Sequence, residues 1–297
     1  MIANHFITAI TLTVITGVLA YKNSFLKNRH IFHLSLQQIL YLVFLPGVIF
    51  LLINSYTQTI LSFPLETITL VNDSILIDII YLGMLFTYGG VSIHAVTKIL
   101  AHTSLRYSRS DAGEINRYFH LNFSHNLIFG GLILFSVALA ILELNHTNPD
   151  NVLGITSLII RGLLIAFALL YAMFSYTRFQ DEGDYAGRWA DFKAVFIIAW
   201  SALVILYLAL KKTDASLRQY QMVLPVFLVL ILVVSLNILL VIRRIRRHKL
   251  YSPHRFIAFH RKKIHPAVQK SQNNLKRSLK NEIKDKNQEV QPGNLPA

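Results

Sequence analysis

The chain contains no cysteine and few charged residues. The lack of cysteine excludes disulfide bonds, thiolate metal ligands and cysteine nucleophiles. Only 15% of the 297 residues are charged, whereas a soluble domain carries about 25%. Since 54% of the residues are hydrophobic and the mean hydropathy is +0.47, much of the molecular surface is not expected to face water.

Apolar runs of about 20 residues recur along the sequence, the length at which a helix crosses the hydrocarbon core of a bilayer. The runs are continuous rather than alternating, which favours helices over the strands of a barrel. We predict an all-α polytopic membrane bundle with seven transmembrane helices. The predicted spans are residues 5–21, 34–54, 75–100, 118–144, 152–176, 192–210 and 222–242.

Lysine and arginine concentrate on one side of these spans, and this bias sets the orientation of a membrane protein. The loops after spans one, three and five each carry three basic residues, whereas segments 55–73 and 145–151 carry none. Only segment 211–221 breaks the pattern. The distribution predicts an N-terminus outside, a C-terminus in the cytoplasm and a location in the cell (inner) membrane.

The region that follows the last span holds 15 of the 29 basic residues. It begins with Arg243, Arg244, Arg246, Arg247 and Lys249. Beside a membrane, each such charge contributes about 1 kcal/mol of attraction to anionic lipid headgroups. We predict a transmembrane domain (residues 1–243), a basic interfacial segment (244–270) and a disordered basic tail (271–297) that engages lipid or a cytoplasmic protein. Because the basic residues adjoin a span, we expect no nucleic-acid partner.

Arg161 is the most unusual residue within a span, since it lies about ten positions into the fifth one, near the bilayer centre. A central arginine costs at least a few kcal/mol, so it should face the bundle and find a partner. Asp78 in the third span and Glu143 at the end of the fourth are the candidates. The pair is either an anion or proton site or a structural ion pair.

A polar centre is predicted where the third and fourth spans form an antiparallel hairpin, because small and polar residues line one stripe of each helix. The stripes are Gly83, Thr87, Gly90, His94 and Thr97 on one helix, and Asn122, His125, Asn126, Phe129 and Gly130 on the other. His94 and His125 lie at similar distances from the connecting loop and should therefore converge. The pair could ligate a metal or haem, relay protons, or only donate hydrogen bonds. We favour hydrogen bonding.

The sequence lacks the motifs of common enzyme classes. There is no H-E-x-x-H, no G-x-S-x-G with triad partners, and no Walker or dinucleotide-binding glycine loop. We therefore expect a non-catalytic multi-pass protein without a resident cofactor, either a sensor or a scaffold. The alternatives are a transporter or channel that uses Arg161 with Asp78 or Glu143, and a haem- or metal-binding protein that uses His94 and His125.

Overall fold

The computed structural model describes residues 2–31, 34–66, 69, 71–103, 111–146, 154–178, 193–213 and 220–247. The helices are α1 (Ile2–Lys22), α2 (Ser24–Asn28), α3 (Leu36–Ile39), α4 (Leu45–Leu61), α5 (Asp73–Thr103), α6 (Asp111–Tyr118), α7 (Ser124–Asn145), α8 (Ile155–Arg178), α9 (Lys193–Thr213) and α10 (Val223–Arg247). Two π-helical turns, Leu40–Phe44 and Phe119–Phe123, join α3 to α4 and α6 to α7. Strands β1 (His30–Ile31) and β2 (Leu34–Ser35) form a short antiparallel pair, with His30 opposite Ser35.

Four helical segments in the described part of the chain are long and apolar enough to cross a membrane. They are Leu36–Leu61, Asp73–Leu100, Ser124–Asn145 and Ala194–Thr213, and they coincide with predicted spans two, three, four and six. The other three predicted spans are also helical, with shorter apolar stretches at Thr8–Gly17, Ile155–Tyr171 and Val223–Leu239. The prediction of a mostly helical integral membrane protein is confirmed.

Helix α7 lies at the centre of the bundle. In its apolar window 72% of the residues are buried, compared with 11%, 22% and 33% in the other three membrane-spanning segments. Its closest neighbour is the antiparallel α5. A Cβ atom at Gly131 of α7 would lie 2.5 Å from the carbonyl oxygen of Gly83, and a Cβ at Gly90 would lie 2.7 Å from that of Ser124. The two backbones therefore approach closely at Gly83, Gly90 and Gly131, where a side chain would collide with the facing helix.

The face of α7 against α5 differs from the predicted one by about one residue. The α5 glycines meet Ser124, Ile128, Gly131 and Phe135, which is a regular stripe at i, i+4, i+7 and i+11. Gly130 was expected on this stripe, but a Cβ there would meet Ile198 of α9 instead. The predicted α5 stripe does lie at the contact, since Gly83, Thr87 and Gly90 all take part.

The first π-helical turn directly precedes Pro46, which lies at the start of α4. Proline has no backbone N–H to donate, so the carbonyl one turn earlier loses its usual partner. Within a membrane, a local π adjustment is one way to bond such a group again. The turn is closed by the Leu45 amide, which donates to the Leu40 carbonyl. The second π turn has no proline beside it.

The chain divides into two compact units, Met1–Asn237 and Ile238–Ala297. All of the contacts described below lie within the first unit. In the second, the structure describes residues 238–247, the end of α10. The predicted interfacial segment and tail lie outside the described residues from position 248 onward, so the predicted domain boundaries stay predictions.

Candidate functional site

Three histidine rings meet where α5 and the start of α7 pack together. The ring centroids of His94 and His120 are 4.2 Å apart and the rings are nearly parallel. The ring of His125 stands perpendicular to that of His94, with the centroids 4.9 Å apart. The structure thus brings His94 and His125 together, as the hairpin geometry requires, and adds His120.

His120 was not placed in this cluster by its spacing in the sequence. It lies five residues before His125, which would put it on a different face of a regular α-helix. The π-helical turn Phe119–Phe123 changes this, because its i to i+5 hydrogen bonds bring positions five apart into line. Single π turns of this kind occur often at functional sites.

A hydrogen-bond chain fixes His120 but leaves one nitrogen of His94 unused. The Thr97 hydroxyl lies 2.9 Å from Nδ1 of His120, and the Ser124 hydroxyl donates to the His120 carbonyl at 2.6 Å. Asn116 donates to the Thr97 carbonyl at 2.9 Å. Nδ1 of His94 is buried and has no hydrogen-bond partner among the described residues. A buried polar atom without a partner costs about 1–3 kcal/mol, so this nitrogen is a candidate ligand contact.

A metal site at His94 and His125 would have no third protein ligand among the described residues. Among the described residues, no group of three or more histidine, aspartate or glutamate side chains is arranged to hold a metal ion. His94 and His120 present their ring faces to each other, whereas a metal binds in the plane of the ring at a nitrogen lone pair. A site built on two histidines stays a prediction.

A cavity of about 710 Å³ lies beside the histidines, between α1, α4, α5, α7, α8 and α10. This is within the usual range of small-molecule sites, about 300–1,000 Å³. Its walls are almost entirely aliphatic and aromatic side chains. Phe50, Leu85 and Tyr88 belong to the wall and are 47%, 63% and 47% exposed. The cavity therefore opens sideways, between α4 and α5, at a surface that suits lipid.

One end of the cavity is polar. His94, Lys98 and His125 line it together with Gln37 and Gln38. The amide nitrogen of Gln38 lies 3.5 Å from the Ala95 carbonyl, at the limit of a hydrogen bond. No aspartate or glutamate lines the cavity in the described part of the chain, and Lys98 forms no ion pair there. This end therefore presents positive charge and hydrogen-bond donors.

Glu143 is buried and caps a helix at the opposite end of α7. Its carboxylate accepts hydrogen bonds from the Tyr56 hydroxyl and from the backbone amides of Gln221 and Met222, the latter at 2.8 Å. These amides directly precede α10, whose N-terminal dipole favours a negative group. The Tyr56 ring stacks on Phe6 of α1 with centroids 3.8 Å apart. One carboxylate thus connects α4, α7 and α10.

The predicted partnership of Glu143 with Arg161 is not present among the described residues. The carboxylate is occupied by Tyr56 and the α10 backbone, and Asp78, the other candidate, is exposed on α5. Nη1 of Arg161 is buried and has no hydrogen-bond partner in the described part of the chain. Arg161 is therefore a basic residue in the middle of a predicted span, as the sequence indicated, but the expected ion pair is not formed within the described ranges.

A second polar junction ties α7 to the start of α5. The two ring nitrogens of His146 lie 3.0 Å from the Phe63 carbonyl and 3.1 Å from the Asp73 carboxylate. Both of these groups are acceptors, so the ring satisfies both only with a proton on each nitrogen. Asn145 also donates to Asp73, at 2.8 Å. The junction holds the segment after α4 against the end of α7.

Tyr220 lies buried just before α10. Burial raises the pKa of its hydroxyl, and the negative charges of Glu66 and Glu143 raise it further. The group is therefore a neutral hydroxyl at physiological pH.

The remaining predicted residues are placed as follows. The side-chain amide of Asn126 donates to the Asn122 carbonyl at 2.8 Å, within the same helix. The α10 helix continues through residues 243–247, but the side chains of Arg243, Arg244, Arg246 and Arg247 lie outside the described part, as does Lys249. The predicted contact of these basic residues with lipid stays a prediction.

Comparisons with protein-family models, with curated proteins and with solved structures find no match to this chain.

Proposed function

We propose that this chain is a seven-helix membrane sensor with its N-terminus outside and its C-terminus in the cytoplasm. It binds a lipid-soluble molecule inside the bundle and performs no chemistry on it. The observation that carries the proposal is the cavity of about 710 Å³ between six of the helices. The basic segment that follows α10 engages anionic lipid or a cytoplasmic partner.

Because several helices form the walls of the cavity, a bound ligand would affect the arrangement of the whole bundle. Its lining comes from distant parts of the sequence, from Phe6 in α1 to Leu230 in α10. A ligand that fills it stabilises the arrangement of helices in which the walls fit, and disfavours others. The α10 helix supplies part of the lining, including Pro225 and Val229, and also begins the basic segment, so it is the element through which we expect a signal to pass.

Binding can be tested with one substitution placed at two positions of α5. Val91 lines the cavity, whereas Val96 is 54% exposed on the same helix and lies outside the lining. Purified wild-type protein and Val96→Trp should carry a co-purifying lipophilic molecule, detected by mass spectrometry after solvent extraction. Val91→Trp fills the cavity and should lose it. Equal amounts in both variants would contradict binding at this place.

The role of the tail can be tested in lipid nanodiscs. If the tail lies on anionic headgroups, trypsin should cleave it several-fold more slowly in phosphatidylglycerol than in phosphatidylcholine. The protection should disappear at high salt, because salt screens the attraction. Equal cleavage in both lipids at low salt would contradict a lipid-bound tail and leave a protein partner as the alternative.

A transporter or channel is the second proposal, and the observation that favours it is Nη1 of Arg161, which is buried without a hydrogen-bond partner in the described part of the chain. A buried charge in a membrane helix often marks an ion pathway. Arg161→Gln should then abolish anion or proton flux in vesicles while the protein still elutes as a single folded species. Wild-type vesicles without flux above empty vesicles, or an unchanged flux in the variant, would contradict it.

A further inference from the structure

We infer that the cavity holds a single-chain lipid with a weakly acidic head group, and that the head group lies at Lys98 and His94. This rests on the proposed binding function and names the class of ligand. The apolar walls suit the hydrocarbon chain of the lipid, and the polar end suits its head group.

The charge at the polar end points to an acid. Lys98 is half-buried and lines the cavity, and it has no carboxylate partner among the described residues. His94 lies one helical turn before it on the same face, and His125 of α7 lies against His94 and also lines the cavity. With no acidic side chain in the described lining, an ammonium group here is left without a counter-charge. An anionic head group supplies the missing charge in a place from which water is partly excluded.

The free nitrogen of His94 favours a head group that can also carry a proton. Nδ1 of the His94 ring is buried and has no hydrogen-bond partner in the described part of the chain. A carboxyl group can donate its O–H to this nitrogen while its second oxygen accepts from Lys98. If the proton moves to the ring, the resulting carboxylate accepts from both groups. Both states give Nδ1 a partner, and the second also supplies the counter-charge that Lys98 lacks.

The volume of the cavity favours a lipid with one hydrocarbon chain over a lipid with two. Its volume is typical of sites for drug-sized molecules. The exposed wall at Phe50, Leu85 and Tyr88 provides a sideways entrance from the bilayer. Bilayer phospholipids reach the same entrance, so the test must separate a free acid from an anionic phospholipid head group.

The test measures binding of radiolabelled palmitate and of hexadecanol, its neutral counterpart, to the full chain in phosphatidylcholine nanodiscs, with empty nanodiscs subtracted. Wild-type protein should bind palmitate about tenfold more tightly than hexadecanol, the difference expected of a charge-assisted hydrogen bond. Lys98→Gln should remove this preference without weakening hexadecanol binding. Lys98→Arg should keep it, as should the control Lys211→Gln, which removes an exposed charge at the end of α9.

Equal binding of palmitate and hexadecanol by wild-type protein would overturn the inference, and this comparison needs no variant. So would a preference that survives in Lys98→Gln, or competition by phosphatidylglycerol as strong as that by palmitate. If both probes bind equally and Val91→Trp abolishes both, the cavity still binds lipid and only the acidic class is wrong. If neither probe binds, the proposed function fails as well.

Discussion

The Tyr56 hydroxyl donates a hydrogen bond to the Glu143 carboxylate across the contact between α4 and α7. Both side chains are buried, at 3% and 5% exposure, so water cannot replace the hydrogen bond that the carboxylate loses when the donor is removed. Tyr56→Phe should lower the free energy of unfolding in detergent by about 1–3 kcal/mol. Tyr81→Phe is the matched control, because its hydrogen bond to Asn54 is exposed, and its effect should stay within about 0.5 kcal/mol. Similar losses in both variants would show that the carboxylate does not depend on Tyr56.

Two adjacent glycines of α5 should respond oppositely to alanine. A Cβ at Gly90 would lie 2.7 Å from the Ser124 carbonyl oxygen, whereas a Cβ at Gly89 would meet nothing within 4 Å. Gly90→Ala should therefore force α5 and α7 apart and destabilise the protein by about 1–3 kcal/mol. Gly89→Ala should be neutral or stabilise by up to about 1 kcal/mol, since alanine is the better helix former. Thermal unfolding in detergent measures both, and equal unfolding temperatures would contradict the close approach.

The two hydrogen bonds of the His146 ring should limit local opening of the segment after α4. His146→Leu removes the hydrogen bonds to the Phe63 carbonyl and the Asp73 carboxylate. Amide hydrogen exchange in residues 62–66 should then become faster, because local opening no longer breaks these bonds. His30→Leu is the control, since its ring bonds only the nearby Asn28 carbonyl and is exposed. Unchanged exchange in His146→Leu would mean that the backbone pairing of Glu66 with Asn145 suffices.

The proposed orientation can be tested because the chain has no native cysteine, so any introduced thiol is the only one present. Ser24 and Ser62 are both exposed and lie after the first and second predicted spans. In intact cells, a membrane-impermeant maleimide should label Ser62→Cys, and should label Ser24→Cys only after permeabilisation. The reverse pattern would invert the topology, and labelling of both in intact cells would contradict a span between them.

The long apolar helices could be predicted from the sequence, since each is an apolar run bounded by polar residues. The meeting of His94 and His125 could be predicted too, because a hairpin of two helices fixes relative depth. The face of α7 that meets α5 was displaced by about one residue at Gly130, which lies against Ile198 of α9. The relative depth of two helices in a hairpin does not fix how each helix is rotated about its own axis. The stacking of His120 on His94 could not be predicted either, because it depends on the π turn at residues 119–123, which no sequence signal marks.

The partner of Glu143 could not be predicted, for a different reason. Its hydrogen-bond donors are the Tyr56 hydroxyl and the backbone amides just before α10. Which helix end meets which carboxylate depends on how distant segments pack. Arg161 was the natural candidate because opposite charges attract. Backbone amides at a helix start carry no charge in the sequence, yet they compete for the same carboxylate. The cavity could not be predicted from the sequence either, since it is the space that remains after the helices have packed.

The two π turns have a mechanical consequence. Each contains one residue more than an α-helical turn, so its conversion to a regular turn would rotate the adjoining helix by about 100° relative to the rest. At Leu40–Phe44 this rotation would carry the Tyr41 hydroxyl away from the Gly17 carbonyl that it now contacts. At Phe119–Phe123 it would swing the His120 ring off its stack on His94. Each π turn is thus a point at which the adjoining helix could rotate. The contact of Tyr41 or of His120 with the neighbouring helix would show whether the π turn is present.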